Sequence, residues 1–115
     1  MARFLLLIRG GDGDVVSSSP EDYQKVVEKY IAWSRRLREE GRNLGADELA
    51  EGGVVVRSRN GQVVVDGPFA ETKEAIGGYF MIEAADLNEA AEIAKGCPAV
   101  ERGGCVDIRP VIDHG

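Results

Sequence analysis

Four ionisable side chains crowd into nine residues at Asp66-Gly67-Pro68-Phe69-Ala70-Glu71-Thr72-Lys73-Glu74. Gly67-Pro68 makes a rigid turn directly after an apolar run, and Phe69 sets an apolar plug beside the charges. A carboxylate at a strand end beside an aromatic suits proton transfer, which makes Asp66 the candidate acid–base group, with Glu71 sharing the candidacy. Lys73 suits an anionic substrate, and Phe69 and Tyr79 suit the lining of a small pocket. The same charges also fit a solvated turn or a helix start, Glu74 above all. No metal-ligand cluster, nucleotide loop or nucleophile–base pair is visible. The chemistry this stretch suggests is therefore cofactor-free proton abstraction or elimination on a small polar or aromatic compound.

The composition narrows the partners. Twenty acidic residues against 14 basic give a net charge of -6, which repels a phosphate backbone and argues against nucleic acid. Arg35, Arg36 and Arg38 lie among Glu28, Glu39 and Glu40 and read as a solvated helix face. The apolar start, Phe4 to Ile8, reaches Arg9 and Gly10 too soon to cross a bilayer or to form an ordinary signal core. No membrane association and a cytoplasmic location are expected. Cys97 and Cys105 lack metal-type spacing and read as small buried residues.

The elements that must position these groups are well marked. At 115 residues the chain is long enough for one domain, 1–115, and for one core. Phe4-Leu5-Leu6-Leu7-Ile8 is a continuous apolar run, which predicts a central strand covered on both faces. The loop Gly10-Gly11-Asp12-Gly13-Asp14 has no lysine and two acids, and reads as surface loop rather than phosphate cradle. Ser19-Pro20-Glu21-Asp22 announces a helix, and Tyr23, Val26, Val27, Tyr30, Trp33 and Leu37 form its apolar stripe up to Gly41. Leu44–Leu49 is a second strand. Val54–Arg57 and Gln62–Val65 flank Asn60-Gly61, the signature of a tight hairpin. Gly77–Glu83 predicts a further strand whose glycines permit close packing. Asp86, with Glu89 three residues on, opens a second helix with Leu87, Ala90, Ala91 and Ala94 facing inward, ended by Gly96 and Pro98. Cys105–Val111 alternates as a strand with one wet side.

This order predicts an α+β, ferredoxin-like domain: a split βαβ repeated twice, with an inserted β-hairpin and both helices on one face of an antiparallel sheet. Two helices shield one side only. The other side is too apolar for water, so a second copy is expected to pack sheet against sheet as a dimeric α/β barrel.

Taken together, Phe4–Ile8, the run Asp66-Gly67-Pro68-Phe69-Ala70-Glu71-Thr72-Lys73-Glu74, Gly77-Gly78-Tyr79-Phe80 and Asp107-Ile108-Arg109-Pro110-Val111 resemble the YCII-related family, in its DGPF subgroup. The resemblance spans nearly the whole chain and implies a dimeric α/β barrel with a cleft beside each sheet. Some members of the family act as small-molecule lyases or dehydrochlorinases through an Asp-His pair. Asp66 matches the aspartate, but the only histidine here is His114, beside the C-terminus, so that pair does not carry over. The missing internal histidine also speaks against a haem- or oxygen-handling barrel. Two functions follow. One is a small-molecule-binding homodimer, enzymatic through carboxylates; the alternative is a non-catalytic regulatory or protein-interaction module, since relatives in the subgroup are associated with sigma-factor signalling.

Overall fold

The computed structural model describes residues 1–10, 19–50, 52–67 and 76–115. The glycine-rich loop beyond Gly10, the Pro68 turn, and Phe69, Glu71, Lys73 and Glu74 lie outside the described residues. Nine elements follow one another among those described: β1 (Ala2–Arg9), α1 (Pro20–Glu39), β2 (Asn43–Glu48), β3 (Val55–Arg59), β4 (Gln62–Asp66), β5 (Ile76–Ala84), α2 (Leu87–Ala94), α3 (Pro98–Glu101) and β6 (Cys105–Pro110).

Four strands form one antiparallel sheet in the order β2-β5-β1-β6. Setting β3 and β4 aside, that is the strand order of a ferredoxin-like split βαβ repeat. β1 pairs on both edges, as its apolar run demands. Its side chains alternate: Phe4, Leu6 and Ile8 are buried under the helices, while Leu5, Leu7 and Arg9 are only partly covered on the other face. In the single chain the central strand is therefore covered on one face, not two, because all three helices lie on the same side.

The helix layer follows from capping and from the apolar stripe. The Ser19 side chain accepts from the Asp22 N–H, and Pro20 occupies the first helical turn of α1. Val26, Trp33 and Leu37 are buried, each contributing roughly 1.5–3 kcal/mol by area. Trp33 packs on Phe80 of β5 with ring centroids 4.7 Å apart and tilted by 55°. The stripe is shorter than its spacing suggests: Tyr23 is exposed and instead donates its hydroxyl to Glu48, 3.1 Å from either carboxylate oxygen. α2 starts as expected, with Asp86 accepting from the Glu89 N–H at 2.8 Å while Glu89 accepts from the Ala85 N–H at 2.9 Å. Ala90 and Ala94 form its buried face, but Leu87 is exposed. Pro98 does not merely stop α2. It opens the short helix α3, because proline suits a first helical position as well as it prevents a continuing one. Cys97 is buried as expected, whereas Cys105, on the edge strand β6, is exposed, and both are free thiols.

β3 and β4 form a separate two-stranded ladder joined by Asn60 and Gly61, both with positive φ, at 52° and 80°. Val55, Val56, Val63 and Val65 on this ladder are exposed. None of the described helices is long and apolar enough to cross a membrane.

Candidate functional site

The face of the sheet away from the helices is where the described chemistry-bearing side chains gather. Its pattern comes from register. Asp47, Tyr79, Leu7 and Asp107 are lateral neighbours across β2, β5, β1 and β6; the next row is Gly45, Met81, Leu5 and Arg109. Leu5, Leu7 and Met81 thus form a half-covered apolar platform with polar groups at both edges.

Tyr79 sits on this platform and donates its hydroxyl to Asp47 Oδ2 at 2.7 Å. The hydrogen bond to that carboxylate, then the negative charge itself, raise the Tyr79 pKa above the usual tyrosine value, so at neutral pH the group is a phenol and a donor. Close approach of the two backbones supports the pair. A Cβ at Gly78 would lie 3.0 Å from the Asp47 carbonyl oxygen, so glycine there lets β5 and β2 close up; Gly77, by contrast, faces open space. A bulge at Leu44 shifts the β2 register between Asn43 and Gly45, and the Asn43 side chain fixes it by accepting from the Gly45 N–H at 2.9 Å and donating to Ser34 Oγ at 2.9 Å.

On the opposite edge, Arg109 grips Asp107 with two contacts, Nε to Oδ1 at 2.8 Å and Nη2 to Oδ2 at 3.1 Å. Arg9 reaches the same carboxylate through Nη2 at 3.4 Å. The Arg109 hydrogen bonds hold the Asp107 carboxyl below the ordinary carboxylate range.

Asp66 stands apart from this face. Ending β4, it pairs with Arg57 Nε at 2.7 Å and Arg59 Nη2 at 3.0 Å, both from β3. No hydrogen bond or ion pair joins it to Tyr79, and Phe69, Glu71 and Lys73 lie outside the described residues. His114 is exposed after the last strand. Of the residues expected at the site, the structure therefore brings Tyr79 to a carboxylate, and that carboxylate is Asp47. Sequence reasoning does not single out Asp47, Arg9, Asp107 or Arg109. Asp107 and Arg109 alternate with Val106 and Ile108, so their common face was readable; the Asp47–Tyr79 contact depends on strand pairing and leaves no local trace. Among the described residues no group of three or more His, Cys, Asp or Glu side chains is arranged to hold a metal ion.

Comparison with known proteins places this geometry in context. The sequence profile of the YCII-related domain matches residues 2–114. The chain is 32% identical over 105 residues to an uncharacterized protein of Rhizobium meliloti strain 1021, covering 87% of this chain and 85% of that one. Its fold is similar to that of 5-chloro-2-hydroxyhydroquinone dehydrochlorinase from Burkholderia phenoliruptrix AC1100, solved in complex with 2,5-dihydroxybenzoquinone, with a TM-score of 0.55 and 15% identity over 98% of this chain and 95% of the other.

Proposed function

The chain belongs to the YCII-related family, and from that premise we propose that it is a homodimeric small-molecule-binding domain performing cofactor-free lyase- or isomerase-type chemistry with carboxylates. The observation that carries this reading is the Asp47–Tyr79 pair at the rim of the Leu5, Leu7 and Met81 platform. A carboxylate that takes a proton and a phenol that donates to an oxygen gaining charge are the two partners an elimination or tautomerisation needs. A flat apolar floor suits an aromatic or quinonoid ring. The fold shared with a dehydrochlorinase supports the same class of ligand.

In this reading the Asp66–Phe69 run puts the chain in the DGPF subgroup, and β3–β4 is the hairpin inserted into the ferredoxin-like frame. Two copies close their open faces into an α/β barrel. Asp66 and Glu71 then act as further acid–base groups, and Phe69 and Lys73 complete the pocket around Tyr79.

The test is binding and turnover of hydroxylated and chlorinated hydroquinones by the wild type and by Asp47→Asn, Tyr79→Phe and Asp66→Asn. The expected result is binding retained within about threefold and turnover reduced about 10²-fold or more in the first two variants. Unchanged turnover in both removes the Asp47–Tyr79 pair from the chemistry, and unchanged turnover in Asp66→Asn removes that residue. Four exposed valines on β3–β4 favour a second reading, a protein-interaction module of sigma-factor signalling. It gains ground if none of these compounds shifts the melting temperature while Val63→Lys abolishes capture of a purified sigma factor.

A further inference from the structure

Among the described residues, Arg9 holds the one buried side-chain polar atom without a hydrogen-bond partner. That atom is its Nε, and among the described residues its guanidinium reaches a carboxylate only through the long Nη2–Asp107 Oδ2 approach of 3.4 Å. The cause lies one strand position away. Arg109 occupies both oxygens of Asp107 at 2.8 and 3.1 Å, in the side-on fork that a guanidinium and a carboxylate prefer, and leaves Arg9 the remainder. Two permanent cations share one anion, so the cluster carries an excess positive charge in a chain whose net charge is -6.

Nε itself is closed to solvent, so an anion would meet Arg9 at the exposed part of its guanidinium, where it would replace one long contact with a short charge-assisted one. Register fixes where such an anion would stand. Arg9 lies opposite Cys105 on β6, two residues along β1 from Leu7, and Leu7 separates Asp107 from Tyr79. A ligand held at Arg9 has its body over Leu7, with the Tyr79 hydroxyl on the far side of that residue.

We propose that Arg9, steered by the Asp107–Arg109 pair, is the anion-recognition point of the open face, and that the ligand is a small planar organic acid carrying a carboxylate or an ionised hydroxyl. The inference rests on the small-molecule reading above and adds the charge of the ligand to it. Arg9 binds, and Asp107 and Arg109 are positioning residues that set how much of Arg9 is free.

Titration calorimetry on the full chain with 2,5-dihydroxybenzoate and with hydroquinone, which lacks the carboxylate, tests the assignment. The expected result is dihydroxybenzoate bound at least about tenfold more tightly than hydroquinone, a preference that higher salt weakens. Arg9→Gln should bring the two to equal affinity, and Arg9→Lys should restore part of the difference. Asp107→Asn should tighten dihydroxybenzoate about threefold to tenfold, because it removes the internal competitor for Arg9; a merely structural role for Asp107 gives weakening instead. Equal binding of both compounds by the wild type overturns the anion site and leaves the small-molecule reading standing. So does a preference that survives Arg9→Gln. Failure of both compounds to bind overturns both readings.

Discussion

Tyrosine is the residue type whose state this fold controls most evenly. All three tyrosines of the chain, Tyr23, Tyr30 and Tyr79, have pKa values raised above 10.0, by different means. Hydrogen bonding to Glu48 and to Asp47 does it for Tyr23 and Tyr79, and burial, chiefly, for Tyr30 beside Cys97. A raised folded-state pKa contributes stability that is fully present below the unfolded value, about 10, and lost as pH rises through the higher folded value. Spectrophotometric titration at 295 nm should therefore find less phenolate at pH 10 in the folded protein than the half expected of free tyrosine, and the remainder ionising together on alkaline unfolding. A full tyrosine signal at the ordinary midpoint, with helical circular dichroism intact, would remove the Asp47–Tyr79 hydrogen bond. The site was half legible in the sequence. Tyr79 is marked by its place in an aromatic strand, but its partner lies 32 positions away, in a strand whose sequence, Asn43–Glu48, has little apolar alternation to announce a register. The bulge at Leu44 then moves that register by one residue, which decides whether Asp47 or its neighbour Ala46 meets Tyr79.

At the scale of elements, the strongest local signals were also the ones that held. The Ser19 cap with Pro20, the Asp86 cap and the Asn60-Gly61 turn all depend on a few adjacent residues, and each is found where those residues stand. What local pattern cannot decide is depth. Tyr23 and Leu87 have the right spacing for a core but lie at element ends, beyond the edge of the sheet that would cover them. Gly78→Ala probes the β5–β2 contact: the added methyl, 3.0 Å from the Asp47 carbonyl oxygen, forces the strands apart at the point where Tyr79 meets Asp47. A loss of about 1–3 kcal/mol in denaturant unfolding is expected, whereas Gly77→Ala, whose methyl meets nothing within 4 Å, should cost less; equal effects would dismiss the close approach. The β3–β4 ladder predicts the opposite behaviour for Asp66. Its partners Arg57 and Arg59 are largely exposed and belong to the same ladder, so Asp66→Ala should leave the global melting temperature within about 2 °C, since surface pairs contribute only about 0–1 kcal/mol. Hydrogen exchange should quicken at Val55 and Val64 alone, and a large global loss would mean that the ladder is bound into the core.

For the whole molecule, charge and surface make separate demands. Glu89 beside Arg42, Glu101 beside Lys29 and Asp107 beside Arg109 all have lowered pKa values, in each case first through the hydrogen bond to the cation. Such groups contribute stability above their unfolded values, roughly pH 4, that disappears as pH falls through the lower folded ones. The melting temperature should be flat from pH 7 to about pH 5 and fall below about pH 4, and Asp107→Asn should shallow that fall; an unaltered slope would deny the pair a part in stability. The surface demands more. The chain exposes 7858 Å² at 12.4 kDa, where a self-contained monomer of that mass exposes about 6,100 Å². Its radius of gyration of 16.0 Å likewise exceeds the roughly 13 Å of a compact domain this long. Part of that excess belongs to the exposed β3–β4 ladder, and the half-covered Leu5, Leu7 and Met81 lie on the face where an interface between two copies would form. Sedimentation velocity at micromolar concentration should therefore report a single species of twice 12.4 kDa. Leu7→Glu sets a charge in the middle of that face without touching the helix side, so it should weaken association at least about tenfold while far-ultraviolet circular dichroism stays native. A wild-type particle of one chain's mass, stable to heating, would mean that the open face is finished as it stands, and the shared barrel would have to be given up.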